Sequence, residues 1–415
     1  MIKFNFKKIS QVPLEFFCQR KEISDYLREL RNLFEEKNYK VPESFLILPT
    51  EKPSLPKFSE KFGLIILVGV GGSSLGVEAI YQALKNKKKL IEILILDSLN
   101  PLFFKKVLEK IKNIKEGKTA VCFISKSGKT FETTANFFAL FPLIQKYHPQ
   151  VFIISDEDSP LWQYGRKKKF LLFPVPEKVG GRYSVFSNVG LLPLSLAGID
   201  IKELLEGATL ANEVCLIDNP LKNPALASTL TIFYHYQNGK NIYSNLVFPP
   251  DLEYFGKWYI QLMAESLGKE GKGMTPTVTI GTSDFHAIGQ LYFDGPRDKL
   301  INFVFVENLG LDFPIPSIEN FSGIFPGLAK KKIWQLNSAI FQGVKRAYLK
   351  KKLPFTETIL SELSEKNLGF LFQMKMVEII FLGKLMKVNA FDQPGVDLYK
   401  KETRKILEKW KKLGN

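Results

Sequence analysis

Cysteine and histidine are scarce, three of each in 415 residues, and neither falls at the spacing of a disulfide framework or a metal site. Cys18, Cys122 and Cys215 are far apart and odd in number, so they read as reduced, buried and structural. No apolar run approaches the roughly 20 residues of a membrane helix, and the longest, such as Phe62 to Val70, fall far short. Met1 to Ser10 lacks the apolar stretch and small-residue cleavage site of a secretory signal, which points to the cytoplasm. Acidic residues are the scarcer charge, 42 against 58 basic, leaving a formal net charge of +16. The lysine runs Lys87–Lys89, Lys167–Lys169, Lys330–Lys332 and Lys350–Lys352 have no interleaved aromatics and sit near expected helix ends. They read as solvated surface rather than a nucleic-acid interface, although the excess positive charge would still hasten encounter with a dianionic substrate.

With 45% hydrophobic and 24% charged residues spread along the whole length, wholesale disorder is excluded. The length exceeds one ordinary core and suits two. From Leu64, short apolar runs alternate with helical stretches: Leu64 to Val70, Leu90 to Leu96, Thr119 to Ser125, Val151 to Ser155 and Phe170 to Val175. That rhythm implies βαβ units, and the unbroken apolar character implies strands buried on both faces of a mainly parallel sheet. A helical region from Ile201 to Gln237 precedes a second strand series at Ile242 to Phe248, Thr277 to Gly281 and Leu300 to Val306. Helical patterns over Leu328 to Lys351 and Thr358 to Lys387 then lead into a charged C-terminal helix, Asp397 to Leu413. The expected division is an N-terminal helical segment and connector (1–55), two α/β domains (56–200 and 201–390) and a C-terminal segment with its helix (391–415).

Ligands of such folds bind beyond the carboxyl ends of the strands, and two loops there carry suitable chemistry. After the first run comes Gly69-Val70-Gly71-Gly72-Ser73-Ser74-Leu75-Gly76, where bare backbone amides can approach an anion. A tight turn without a ligand would look the same. A dinucleotide fingerprint would want glycine where Ser74 stands, although Asp97 at the end of the next strand is placed for a ribose, so nicotinamide binding stays open as the lesser reading. After the third run comes Ser125-Lys126-Ser127-Gly128-Lys129-Thr130, hydroxyls and amides suited to a phosphate monoester. A nucleotide P-loop is contradicted, because Phe123 occupies the position of its first glycine.

The paired loops resemble those of the sugar isomerase fold, and later segments narrow the resemblance. Val179-Gly180-Gly181-Arg182-Tyr183-Ser184 and Phe391-Asp392-Gln393-Pro394-Gly395-Val396-Asp397-Leu398-Tyr399-Lys400 resemble the two signatures of the phosphoglucose isomerase family. Between them, Gln261 to Lys269 resembles the segment bearing that family's catalytic glutamate, and Gly281 to Ala287 the segment bearing its histidine. The motifs follow the family's order from Gly69 to Lys400. Asp397 stands where glutamate is usual and Pro394 lies within the last motif, but neither departure removes a chemical group; the first 60 residues match no motif.

The resemblance implies two sugar-isomerase-type α/β domains, each a mainly parallel sheet flanked by helices, with a C-terminal helix. It implies aldose–ketose isomerisation of glucose 6-phosphate and fructose 6-phosphate without cofactor or metal. Glu265 would carry a proton between C2 and C1, and Arg182 would stabilise the enediolate. His286, supplied by the neighbouring subunit of a homodimer, would open the ring with Lys400. Gln261 would contact substrate, and Ser73, Ser125, Ser127 and Thr130, with the amides of Gly72 and Lys126, would hold the phosphate. A non-catalytic phosphosugar sensor would need only the loops. An aminosugar-phosphate isomerase, or one also accepting mannose 6-phosphate, would share them and differ at the sugar hydroxyls.

Overall fold

The computed structural model describes residues 2–18, 21–56, 62–317 and 327–413. The N-terminal stretch, expected to be helical, opens instead with a short strand, β1 (Ile2–Asn5), before helix α1 (Lys21–Glu35). The first sheet then forms from β2 (Leu64–Val68), β3 (Ile93–Leu96), β4 (Thr119–Ile124), β5 (Gln150–Ser155) and β6 (Leu171–Pro174), all parallel in the order β3-β2-β4-β5-β6. Its crossovers are α2 (Leu75–Leu84), α3 (Pro101–Lys112), α4 (Phe131–Tyr147) and α5 (Pro160–Lys167). Alternate residues of β2 serve different cores. Ile65 and Leu67 join a large cluster, whereas Leu64, Ile66 and Val68 join another on the opposite face. Two apolar faces are what make the run unbroken in sequence.

Several helix starts follow from a polar residue before proline. Asn100 and Ser159 accept bonds from free amides of the first turns of α3 and α5, and Pro101 and Pro160 occupy positions needing no amide hydrogen. Asn223 and Pro224 do the same for α8 (Pro224–Gln237), which follows α6 (Asn188–Ala197) and α7 (Ile201–Cys215).

The second sheet comprises β7 (Ile242–Val247), β8 (Thr275–Ile280), β9 (Lys299–Asn308) and β10 (Phe355–Glu362), with β1 added at the edge, in the order β1-β10-β9-β7-β8. Only β1 runs antiparallel to its neighbour. Helices α9 (Glu253–Leu267), α10 (Phe285–Asp294), α11 (Ile333–Lys350), α12 (Glu365–Met386) and α13 (Asp397–Leu413) complete the chain.

The helix expected from Thr358 begins seven residues later, because the stretch before it is β10. Its polar residues are buried for one another. Thr356 and Thr358, on one face of the strand, donate to Asn302 Oδ1 at 3.0 and 3.1 Å, and Asn302 donates in turn to Asn245 at 2.9 Å. Glu357, on the other face, pairs with Lys345 and accepts from Asn5 at 3.0 Å, which ties β1 to the sheet. Cys122 and Cys215 are buried, but Cys18 is exposed, contrary to the expectation for all three, because its short 3₁₀ turn buries Phe17 instead.

The two sheets share the large cluster, and α12 runs through it almost wholly buried against α7, α8 and α9. Reciprocal glycines permit the closest of these approaches. A Cβ on Gly369 would lie 1.9 Å from Leu204 O, and one on Gly207 would lie 1.8 Å from Lys366 O.

The N-terminal segment is anchored by His235 of α8, whose Nε2–H donates to Ser10 O at 2.7 Å. Burial pushes this imidazole down to about 4 from 6.5. Between those values the unfolded chain binds more protons than the folded one, so the stabilisation is complete above about pH 6.5 and is lost as the pH falls toward 4. His235→Gln should flatten the pH dependence of the denaturation midpoint across that window. An unchanged slope would refute the assignment.

Candidate active site

The loop after β2 lies backbone to backbone against the turn before α6. A Cβ on Gly72 would come within 2.3 Å of Gly181 C and 2.7 Å of Arg182 N, so no other residue fits without moving one segment. Gly71 adopts φ +60°, and a Cβ there would meet Gln261 Nε2 at 2.8 Å. Bare peptide thus faces both an arginine and an α9 side chain.

Arg182 is 2% exposed, yet each of its nitrogens has a partner. Nε donates to Ser266 Oγ at 2.8 Å, Nη2 to the carbonyls of Ala390 at 2.7 Å and Asp392 at 3.1 Å, and Nη1 to Glu265 Oε2 at 3.2 Å and to Gln393 Oε1. A guanidinium can be buried only with such full compensation. Tyr183 supports the same partners, bonding Ser266 Oγ at 2.9 Å and Ala390 O at 3.3 Å.

Glu265 is only partly buried and accepts from Gln261 Nε2, one helical turn earlier, at 3.0 Å. Gln261 Oε1 is buried with no partner among the described residues. Lys269, one turn beyond Glu265, pairs with Asp392 at 2.7 Å and fixes the loop that closes over Arg182.

The second loop joins this centre through an unforeseen contact. Lys126 sends its ammonium to the carbonyls of Glu177 and Val179, the latter at 3.1 Å, just before the Arg182 turn. Burial lowers the pKa of that ammonium. Ser125 Oγ and Thr130 Oγ1 lie 3.0 Å apart, and Ser127 Oγ accepts from Lys129 N at 3.3 Å. Ser73, in the short 3₁₀ turn before α2, is half-buried with no side-chain partner among the described residues. Asp97 faces Glu78 of α2, whose carboxyl is pushed up to about 7 by burial and then by Asp97. A ribose site uses one acid facing sugar hydroxyls; here acid faces acid.

His286 and Lys400 stand apart. Both are exposed, on α10 and α13, and neither side chain bonds to the Arg182 centre or has a partner among the described residues. The centre therefore unites Gly72, Arg182, Gln261 and Glu265. Ser266, Lys269, Asp392 and Gln393 are its supports. These four lay within recognised segments, but nothing in their spacing showed that they converge on one guanidinium.

Residues 59–304 match the family model described as phosphoglucose isomerase. The chain belongs to the phosphoglucose isomerase family. A relative from Methanococcus maripaludis, named probable glucose-6-phosphate isomerase, is 34% identical over 85% of this chain and 80% of its own. A glucose-6-phosphate isomerase from Methanocaldococcus jannaschii is 31% identical over 97% of this chain and 98% of its own, and so extends the likeness past the family match to Lys400. A solved structure of a hypothetical protein from Thermus thermophilus superposes with a TM-score of 0.86 at 29% identity, over 98% of this chain and all of that one. Family membership makes the chain an isomerase and places its α/β architecture among known ones.

Ser266→Ala removes a bond to a buried charge while leaving Glu265, Gln393 and the carbonyls in place. Such bonds contribute on the order of 1.5–3 kcal/mol. A fall of that size in unfolding free energy, read from the denaturant midpoint, is the expected outcome, and unaltered stability would show that Ser266 does not support the guanidinium.

Proposed function

We propose that this isomerase interconverts glucose 6-phosphate and fructose 6-phosphate through a cis-enediol(ate), in glycolysis and gluconeogenesis in the cytoplasm. The contact that carries this reading is Arg182 against Glu265 at 3.2 Å, beside the bare backbone of Gly71 and Gly72. In the reaction, Glu265 takes the C2 proton of the open aldose. The electron pair moves into a C1–C2 double bond, and charge collects on oxygen beside Arg182. The hydroxyl proton on O2 passes to O1, and return of the carbon-bound proton from Glu265 to C1 closes the C2 carbonyl, giving the ketose and leaving Glu265 ionised, so no redox partner or metal enters.

Gln261 keeps its unpaired Oε1 for a substrate hydroxyl. The hydroxyls of Ser73, Ser125, Ser127 and Thr130 and the amides of Gly72 and Lys126 hold the phosphate. His286 exchanges protons with the ring oxygens during opening, and Lys400 stabilises charge there. The exposure of His286 and the lack of a side-chain partner for it among the described residues support its delivery across a homodimer interface.

Two measurements test this. Glu265→Gln should lower turnover of fructose 6-phosphate by 100-fold or more, on the order expected for a lost general base. The assay is run with excess chelator and coupled to glucose-6-phosphate oxidation, and near-normal turnover would remove Glu265 from the role. Mannose 6-phosphate formed in parallel would instead show a broader isomerase. Co-expressed Glu265→Gln and His286→Ala chains should then regain roughly a quarter of wild-type activity, since half the dimers would each own one intact shared site. No recovery would place both residues of a site in one chain.

A further inference from the structure

Apart from the Arg182 centre, the first sheet carries a second concavity, between α4 and α5. Its volume is about 240 Å³, and its walls include Phe137, Phe138, Leu161 and Tyr164, with Ser125 and Gly128 of the second loop along one side. The walls are braced: Phe137 meets Tyr164 edge-on at 5.6 Å, and Tyr164 meets Phe141 at 6.1 Å. Phe138, 66% exposed, stands at the opening. Thr133 also lines the space, and its buried hydroxyl has no hydrogen-bond partner among the described residues. Ser125 and Thr134 add hydroxyls to the lining, and that of Ser125 already meets Thr130; buried hydroxyls almost always find partners, so Thr133 marks a polar demand beside the ring walls.

We propose that this pocket binds a small neutral aromatic molecule bearing one hydroxyl or carbonyl oxygen, which bonds Thr133 and adjusts the neighbouring phosphate loop. An apolar cavity of roughly 150 Å³ already accepts benzene, so the space suits one substituted ring. The rings of Phe137, Phe138 and Tyr164 in the lining favour a flat apolar ring over a sugar.

Coupling to the loop follows from packing. Gly128 has φ +62°, and a Cβ on it would lie 2.9 Å from Ser159 Cβ and 3.0 Å from Leu161 Cβ, so the loop tip rests directly on the start of α5. Ser155 ties both sides together, its hydroxyl 2.6 Å from Ser159 Oγ and 2.6 Å from Ser125 O. A ring wedged between α4 and α5 presses on Ser125 and Gly128. Only this coupling rests on the proposed phosphate-binding role.

Phenol is the probe, with the full-length protein. Calorimetry should give one saturable site with a Kd on the order of 1 mM, the strength a ring of that size can reach. Thr133→Val should weaken binding about fivefold, the worth of one neutral hydrogen bond, without changing turnover in the absence of phenol. Leu161→Phe should abolish binding, and Thr133→Ile fills the same space from the opposite wall should that variant fail to fold. In the wild type, phenol should raise KM for fructose 6-phosphate to a plateau and spare kcat, because two coupled sites saturate whereas simple competition has no limit. The proposal is overturned by absence of saturable binding, by undiminished binding in a folded filled variant, or by displacement of phenol by fructose 6-phosphate as a simple competitor. Calorimetry reads the pocket even if the protein turns over no sugar phosphate, so the two claims fail separately.

Discussion

The buried guanidinium of Arg182 is the constraint on which the centre depends. A cation of this kind, taken out of water without partners, would cost several kcal/mol. The chain answers with partners from two distant segments: Glu265 and Ser266 on α9, and the Ala390, Asp392 and Gln393 loop beyond α12. None can shift alone without stranding a donor. Glu265 is thereby held by one oxygen on Arg182 and the other on Gln261, while part of its side chain remains open to solvent.

Orientation of α9 is fixed from its other side. Tyr259 donates to Glu378 of α12 at 2.6 Å, and Lys375 pairs with the second oxygen of that carboxylate at 2.6 Å, both charges fully buried. A single-residue rotation of α9 would turn it by about 100 degrees, break this set and carry Glu265 away from Arg182. The glycines that let α7 and α12 touch hold the far side of the same core. Packing, the buried ion pair and the site are one mechanical unit, with α12 as its axle.

Legibility in the sequence followed how local each cause was. The strands of the first sheet announced themselves because both faces are apolar, as in Leu64 to Val68, and helix starts because Asn100-Pro101 and Ser159-Pro160 satisfy their own first turns. β10 was hidden because its polar residues find partners on β9, α11 and β1, contacts far away in the chain. β1 was hidden because four residues with alternating exposure make too short a pattern. Gly72, Arg182, Gln261 and Glu265 were readable as motif positions. The supporting role of Ser266, Lys269, Asp392 and Gln393 was not, since a bond between Arg182 and the loop at Ala390 to Gln393 is a property of the closed fold.

The same reasoning bears on the proposed shared site. His286 and Lys400 sit on α10 and α13, and α13 contacts little besides the turn preceding it. Leu398, Ile406 and Trp410 recur at multiples of four along α13, forming one stripe, and all are exposed, as is Leu291 on α10. Helices of this length owe most of their stability to burial of such a stripe. A partner subunit covering both helices would supply that burial and would bring a histidine to a carboxylate that has none. The exposed apolar stripe and the proposed ring-opening role of His286 would therefore make the same demand, and the proposed shared site would meet both with a single contact.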